Sequence, residues 1–267
     1  MVEEIIVDID FAGRLVADSM IGGADVQLFA PSWAHSVEEI APSAQCNGDA
    51  LGSETMLMIL EGSAFVDGPM SIVIGASGGE DVDIIAAGVT STLLNDLGIK
   101  INPGGDATIS FQMAGEDGGE AICAAEIIWH DEEPKQRKKW VTREAQNPAV
   151  DANVQGANLQ GVAQTIAPGN SEEIGGIIGA ASSDGGALGG SNVCLIISDG
   201  TVDRQEINLG GFGGELITSE GDTMPPTQRK VNYPIKPQAH LMVEFRAVGE
   251  DSGTTAAAVS IGLVIPG

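Results

Sequence analysis

The stretch FQMAGEDGG at residues 111–119 returns almost unchanged as FRAVGEDSG at 245–253. Phe111 and Phe245 lie 134 positions apart in a chain of 267 residues, so the phrase recurs at about half the chain length. Two more pairs follow the same order. QLFAPSWAHSVEEI (27–40) lines up with QTIAPGNSEEIGGI (164–177) at an offset of 137, and GDALGSETMLMILEG (48–62) with GGALGGSNVCLIISDG (185–200) after a one-residue gap. The opening phrase itself belongs to a longer match between 99–128 and 233–262. Offsets that drift by a few residues at turn-like places are what loop insertions between duplicated units produce. A fold for this chain must therefore accommodate two similar units.

The matched segments alternate with period two. Ile109, Phe111 and Met113 alternate with Thr108, Ser110 and Gln112, while Val243, Phe245 and Ala247 alternate with Met242, Glu244 and Arg246. The apolar register is kept and the outward residues change, as in half-buried strands. TMLMILEG, MSIVIGAS, DVDIIAAG, NVCLIISDG and QEINLGG also read as strands bounded by Gly, Asp and Ser. Helical periodicity is scarce, with TSTLLNDLG (90–98) the best short candidate. The expected fold is all-β: two tandem, internally duplicated β-sandwich or jelly-roll domains of about seven or eight short strands each. The first spans 1–130 and the second 151–267, with HDEEPKQRKKWVTREAQNPAVD marking a charged linker over 131–150. The N-terminal EEIIVDIDF is either a strand added to the first domain or one that pairs with a neighbour's sheet edge. The shared GED turn is expected to be the hairpin between the last two strands of each unit.

Charge narrows the partners. There are 38 acidic residues against 12 basic ones, a net charge of −26 and a pI near 4.1. Such a surface repels nucleic acid and anionic membranes, so no direct nucleic-acid binding is expected, and it suits a salty or calcium-rich, halophilic setting. Three cysteines (Cys46, Cys123 and Cys194) show neither metal-site spacing nor a disulfide framework. MVEEIIVDIDF has no basic n-region and is not a secretory signal. No apolar run approaches the roughly 20 residues needed to cross a membrane as a helix.

Few motifs carry chemistry. Glu116, Asp117, Glu250 and Asp251, with Asp106 nearby, offer hard oxygen ligands for calcium, although no recognised calcium loop is present and a solvated turn is the favoured reading. His35, His130 and His240 are isolated, and GGALGG and GGFGG lack the Lys-Ser/Thr of a phosphate loop. The chain is thus expected not to be an enzyme and to need no cofactor, Ca2+ being the one cation its turns suit. The exception to its acidity is KQRKKWVTR, where Lys135, Arg137, Lys138, Lys139 and Arg143 place five of the 12 cations around Trp140. This run is either a solvated linker or a subunit-contact patch whose best-supplied acidic partner is another copy of the chain. Arg229 and Lys230 form a second, smaller pair.

Taken with the paired segments, the architecture resembles the double jelly-roll major capsid proteins of viruses. That resemblance implies two β-barrels side by side in one chain, with three chains making a pseudo-hexagonal tile. The expected function is then a structural, self-assembling capsid subunit, found in the virion after assembly in the host cytoplasm. Its partners would be itself, as a homo-oligomer such as a trimer, and other shell proteins. The alternative is a non-catalytic binding or adhesion module with two β-domains and calcium dependence.

Overall fold

The computed structural model describes residues 2–11, 19–47, 52–79, 90–115, 120–147, 163–183, 189–199, 204–214, 222–224, 226–236, 240–249 and 255–266. Among them the regular elements are strands alone, as the period-two patterning and the glycine-bounded apolar runs require. The first half contributes β1 (Val2–Phe11), β2 (Ser19–Phe29), β3 (Ser36–Asn47), β4 (Gly52–Glu61), β5 (Met70–Gly79), β6 (Thr90–Ser91), β7 (Ile99–Lys100), β8 (Asp106–Gly115) and β9 (Glu120–His130). The second contributes β10 (Lys138–Asn147), β11 (Gln164–Ile166), β12 (Glu173–Ser183), β13 (Gly189–Ser198), β14 (Arg204–Gly214), β15 (Asp222–Met224), β16 (Thr227–Pro234), β17 (Leu241–Gly249) and β18 (Thr255–Val264).

These strands form four antiparallel sheets. Sheet I runs β1-β9-β3-β6, with β7 also on β3, and sheet II runs β15-β5-β4-β8-β2. Sheet III runs β10-β18-β12-β16 and sheet IV β11-β17-β13-β14. The order β10-β18-β12 in sheet III repeats β1-β9-β3 in sheet I, and β11-β17-β13-β14 in sheet IV repeats β2-β8-β4-β5 in sheet II, in jelly-roll order, with the three-residue β15 an addition at the end of sheet II. The two halves also agree in register. Met58 sits opposite Phe111, and Leu195 sits opposite Phe245. Two β-bulges recur: one between Val37 and Glu39 on β3 matches one between Ile174 and Gly176 on β12, and the extra residue Ile74 on β5, opposite Met56 and Leu57, matches Leu209 on β14, opposite Val193 and Cys194. Each bulge adds one residue to a ladder and fixes the local twist, so such features mark a shared backbone design.

The sheets stack in the order I, II, III, IV. Sheet II packs against sheet I on one side and against sheet III on the other, and β12 of sheet III meets β14 of sheet IV. One core cluster fills sheets I and II and continues through the seam to Trp140, Ile178, Ala180 and Ala258 of sheet III. The other fills the space between sheets III and IV around Leu195, Val243, Phe245 and Ile261. Phe111 and Phe245 are both buried, one in each cluster. Ile, Val, Leu, Met and Ala make up most of both, in keeping with an aromatic content of 4%.

Four expectations are corrected by these strands. Residues 131–150 are not simply a linker, because Lys138–Asn147 form the edge strand of sheet III. The GED phrase does not close a hairpin, since β8 pairs within sheet II and β9 within sheet I, and the connection passes between sheets. TSTLLNDLG forms no helix; Leu94 makes a bridge to Ile40, and positive φ at Asp96 (52°) and Gly98 (60°) turns the chain out of any helical course. The gap inserted between residues 48–62 and 185–200 is also unnecessary. Met58 corresponds to Leu195, the same offset of 137 found for 27–40, whereas the gapped alignment would pair it with Ile196 and invert the strand's two faces.

Candidate functional site

The basic segment singled out above lies on β10, and strand geometry divides it. Successive side chains point to opposite faces, so the even-numbered residues face sheet II and the odd-numbered ones face sheet IV. Trp140 accordingly enters the seam between halves, 1% exposed, and its indole Nε1 donates to the Leu97 carbonyl at 2.8 Å. Its ring lies over two glycines. A Cβ on Gly262 or on Gly176 would stand 3.0 Å from Trp140 Cη2, so these positions leave the space the indole fills. Beside it the Val73 amide donates to Ser260 Oγ at 2.9 Å, and Thr142 Oγ1 donates to the Ser71 carbonyl at 2.7 Å. The seam is therefore apolar at its centre, and the Trp140 indole, the Val73 amide and the Thr142 hydroxyl each find a partner across it.

Lys138 is also buried, at 2% exposure, with its Nζ donating to the Asp96 carbonyl at 2.5 Å. Burial pulls its pKa down, opposed by the nearby charges of Asp96 and Glu38. Glu38, the extra residue of the β3 bulge, accepts a hydrogen bond from the Gly98 amide at 3.2 Å. Burial holds its carboxyl above the ordinary range, with that amide and the Lys138 cation acting in the opposite sense. Arg137 is spent on a two-pronged pair with Asp67, Nε–Oδ2 2.9 Å and Nη2–Oδ1 2.5 Å, in which the carboxylate is only 8% exposed. That partner raises the guanidinium pKa. Lys230 meets Asp96 at 3.2 Å, and Gln228 exchanges hydrogen bonds with the backbone of Asn95. The loop after β6 is thus held by the second half from two strands.

The expectation that Lys135, Arg137, Lys138, Lys139, Trp140 and Arg143 form one exposed patch is corrected accordingly. Lys138 and Trp140 are internal, Arg137 is paired, and Lys135 stands exposed at the approach to β10. Lys139 and Arg143 come together elsewhere, in a groove of about 850 Å3 where the edge of sheet III meets the outer face of sheet II. Leu57, Ile59, Met70, Gln112 and Ile166 are among the residues that line it. Arg143 holds the groove together: Nε and Nη2 donate to the Thr165 carbonyl at 3.1 and 2.8 Å, and Nη1 to that of Thr142 at 2.7 Å. Lys139 has no hydrogen-bond or ion-pair partner among the described residues. Sequence reasoning missed the groove residues of β4, β5 and β8. The one legible sign was the outward period-two positions of β4, where Leu57 and Ile59 are as apolar as the core positions Met56 and Met58.

Glu116, Asp117, Glu250 and Asp251 lie outside the described residues, and Asp106 is exposed at the start of β8. Among the described residues no group of three or more His, Cys, Asp or Glu side chains is placed to hold a metal ion. Cys123 is buried and free, its thiol pushed up to about 12 by burial. No helix among the described residues is long and apolar enough to cross a membrane.

No family model and no curated protein matches the chain. Solved structures similar to it include peptide-N(4)-(N-acetyl-β-D-glucosaminyl)asparagine amidase, 9% identical over 98% of this chain and 97% of that one with a TM-score of 0.42. The Broad Bean Stain Virus structure is 7% identical over 97% and 88%, with a TM-score of 0.36. The major capsid protein P2 of bacteriophage PM2 is 12% identical over 98% of each chain, with a TM-score of 0.32. The expectation that the chain is no enzyme is withdrawn, because an amidase stands among its structural neighbours beside the viral proteins.

Proposed function

We propose that the chain is a self-assembling structural subunit, a building block of a protein shell of the viral-capsid kind. The observation that supports this is the double jelly roll itself: two units with one strand order, matched bulges and a desolvated seam that joins them into a single block. Matched register at offsets that shift by a few residues between strands is the pattern expected of internal duplication. Such a block gives one chain two similar lateral surfaces, and three chains then offer six units around an axis. Long strand edges at β1 and β16 supply main-chain groups for contacts between copies. The charge balance fits as well: a copy at −26 needs specific, locally cationic contacts to associate with another, and Lys139 on β10 has no partner among the described residues.

Sedimentation and negative-stain imaging of the purified chain, across protein, salt and calcium concentrations, test the proposal. Trimers or larger lattices are expected. A chain that stays monomeric under all these conditions overturns it.

A further inference from the structure

With 38 acidic residues to 12 basic ones, a cation of this chain has carboxylates in excess to pair with. Lys100, Arg137, Lys230 and Arg246 each meet one, at 2.5–3.2 Å. The two cations that line the groove do not. Lys139 has no partner among the described residues, and the three hydrogen bonds of Arg143 all go to neutral carbonyls. Burial pulls the Arg143 guanidinium pKa down, and no anion among the described residues opposes it. The carboxylate in the lining, Glu144, accepts from the Thr55 hydroxyl at 3.4 Å. Around these charges Leu57, Ile59, Met70 and Ile166 supply hydrocarbon, while the Gln112 amide and the Ser71 hydroxyl have no hydrogen-bond partner among the described residues. A concave lining that mixes apolar side chains with a few polar groups is the usual form of a small-molecule site, and about 850 Å3 is within the usual size.

We infer that this groove binds a small amphipathic anion, a carboxylate on a hydrocarbon body, with its head group at Lys139 and its body against Leu57, Ile59 and Met70. The occupant is a small molecule and not an added strand because the β10 edge is closed. Lys138 and Trp140 are buried as whole residues, and the Lys138 amide, the Thr142 carbonyl and the Glu144 carbonyl are bonded to Gly98, Arg143 and Gln164. Recognition is then left to side chains. The hydrocarbon body is needed because a compact anion would pair with Lys139 and leave the apolar lining in water. The groove is built from β4, β5 and β8 of the first half and β10 and β11 of the second, so a bound molecule bridges the halves and stabilises the folded chain by mass action.

Titration calorimetry and thermal unfolding of the full chain with dodecanoate, kept below its micelle concentration, test the inference. Acetate, which lacks the hydrocarbon, and dodecyltrimethylammonium, which has the opposite charge, are the controls. Dodecanoate is expected to bind one molecule per chain and raise the thermal midpoint, and each control to bind about tenfold more weakly or worse. Lys139→Ala is expected to weaken dodecanoate by about tenfold and Lys139→Arg to retain it. Ile59→Ala is expected to weaken dodecanoate by a smaller factor and to leave acetate unchanged. Lys139 has no partner to lose, so its variants keep the fold. Equal binding of dodecanoate and dodecyltrimethylammonium, or binding that Lys139→Ala leaves unchanged, is adsorption without a site and overturns the inference. Tighter binding of a poly-glutamate peptide than of dodecanoate, lost in Lys139→Ala, overturns it in favour of an acidic chain. Lys139 is also the cation open to a second copy, so titrations use dilute protein, below the concentrations at which copies associate, and a failure here leaves the shell reading standing.

Discussion

β9 and β18 occupy the same place in their halves, yet their outer faces are written differently. On β9 the outward positions include Ala124, Glu126 and Ile128, all half-buried; on β18 the matching positions are Ala258, Ser260 and Gly262, all buried. The same contrast holds between β5 and β14. Ser71 and Val73 face the seam, while their counterparts Glu206 and Asn208 are exposed. Positions that point into each half's own core keep their apolar character, as Phe111 and Phe245 do. Positions that point outward follow whatever covers them. The seam, where sheet II lies on sheet III, trims one partner to Ala, Ser and Gly so that Trp140 and Leu57 fit, and leaves the twin face of the other half to water.

The sharpest way to break this contrast is to write one half's residue into the other. Gly262→Ile copies Ile128 into a site where even a Cβ would stand 3.0–3.2 Å from three atoms of the Trp140 ring. Overpacking of this degree is expected to cost about 3 kcal/mol or to prevent folding, whereas Ile128→Gly is expected to cost about 1 kcal/mol. Urea unfolding of both variants checks the asymmetry. Equal costs would mean that the seam does not set the sequence of β18.

Next in size is Arg137→Ala. It leaves the Asp67 carboxylate, 8% exposed, without its two-pronged partner, and a loss of about 2 kcal/mol is expected because the arginine itself is partly solvated. Lys100, which meets Glu133 across an exposed surface at 3.0 Å, provides the comparison: Lys100→Ala is expected to stay within about 0.5 kcal/mol. Ser260→Ala should cost about 1 kcal/mol by stranding the Val73 amide in the seam. Thermal midpoints read in parallel rank the three variants.

How much of this was legible follows from the same contrast. The repeat could be read because inward residues such as Phe111 and Phe245 answer to each half's own core and keep period two over a whole strand. β10 was hidden because its alternation pairs Lys138, Trp140 and Thr142 against Lys139, Val141 and Arg143, so cations stand on both faces and mask the apolar period. The groove joins residues near 57–71, 112, 139–144 and 164–167, and no local pattern links such distant segments. The one-residue error in aligning β4 with β13 has a similar origin. Both faces of β4 are apolar because both are buried, so Met58 could be matched to Ile196 or to Leu195 with little penalty. Only pairing to β8 and β17 decides between them.

The smallest expected effect concerns the charges at the rim of the seam. Glu38 has its carboxyl raised by burial, so the folded chain keeps a proton at pH values where the unfolded chain releases it. The resulting stabilisation is complete below the ordinary carboxylate range and is lost as pH rises through the folded value. Lys138 restrains that loss, since its cation favours the ionised carboxylate. Lys138→Met is therefore expected to raise the Glu38 carboxyl further and steepen the fall in urea midpoint from mildly acid to neutral pH. Glu38→Gln keeps an acceptor for the Gly98 amide and is expected to flatten the fall. The corresponding position of the second half is Gly175, the extra residue of the β12 bulge, which carries no titrating group. A Lys138→Met profile parallel to wild type would show that Glu38 and Lys138 titrate independently, and that the bulge shared by the two halves was not used in the first to place a charge against β10.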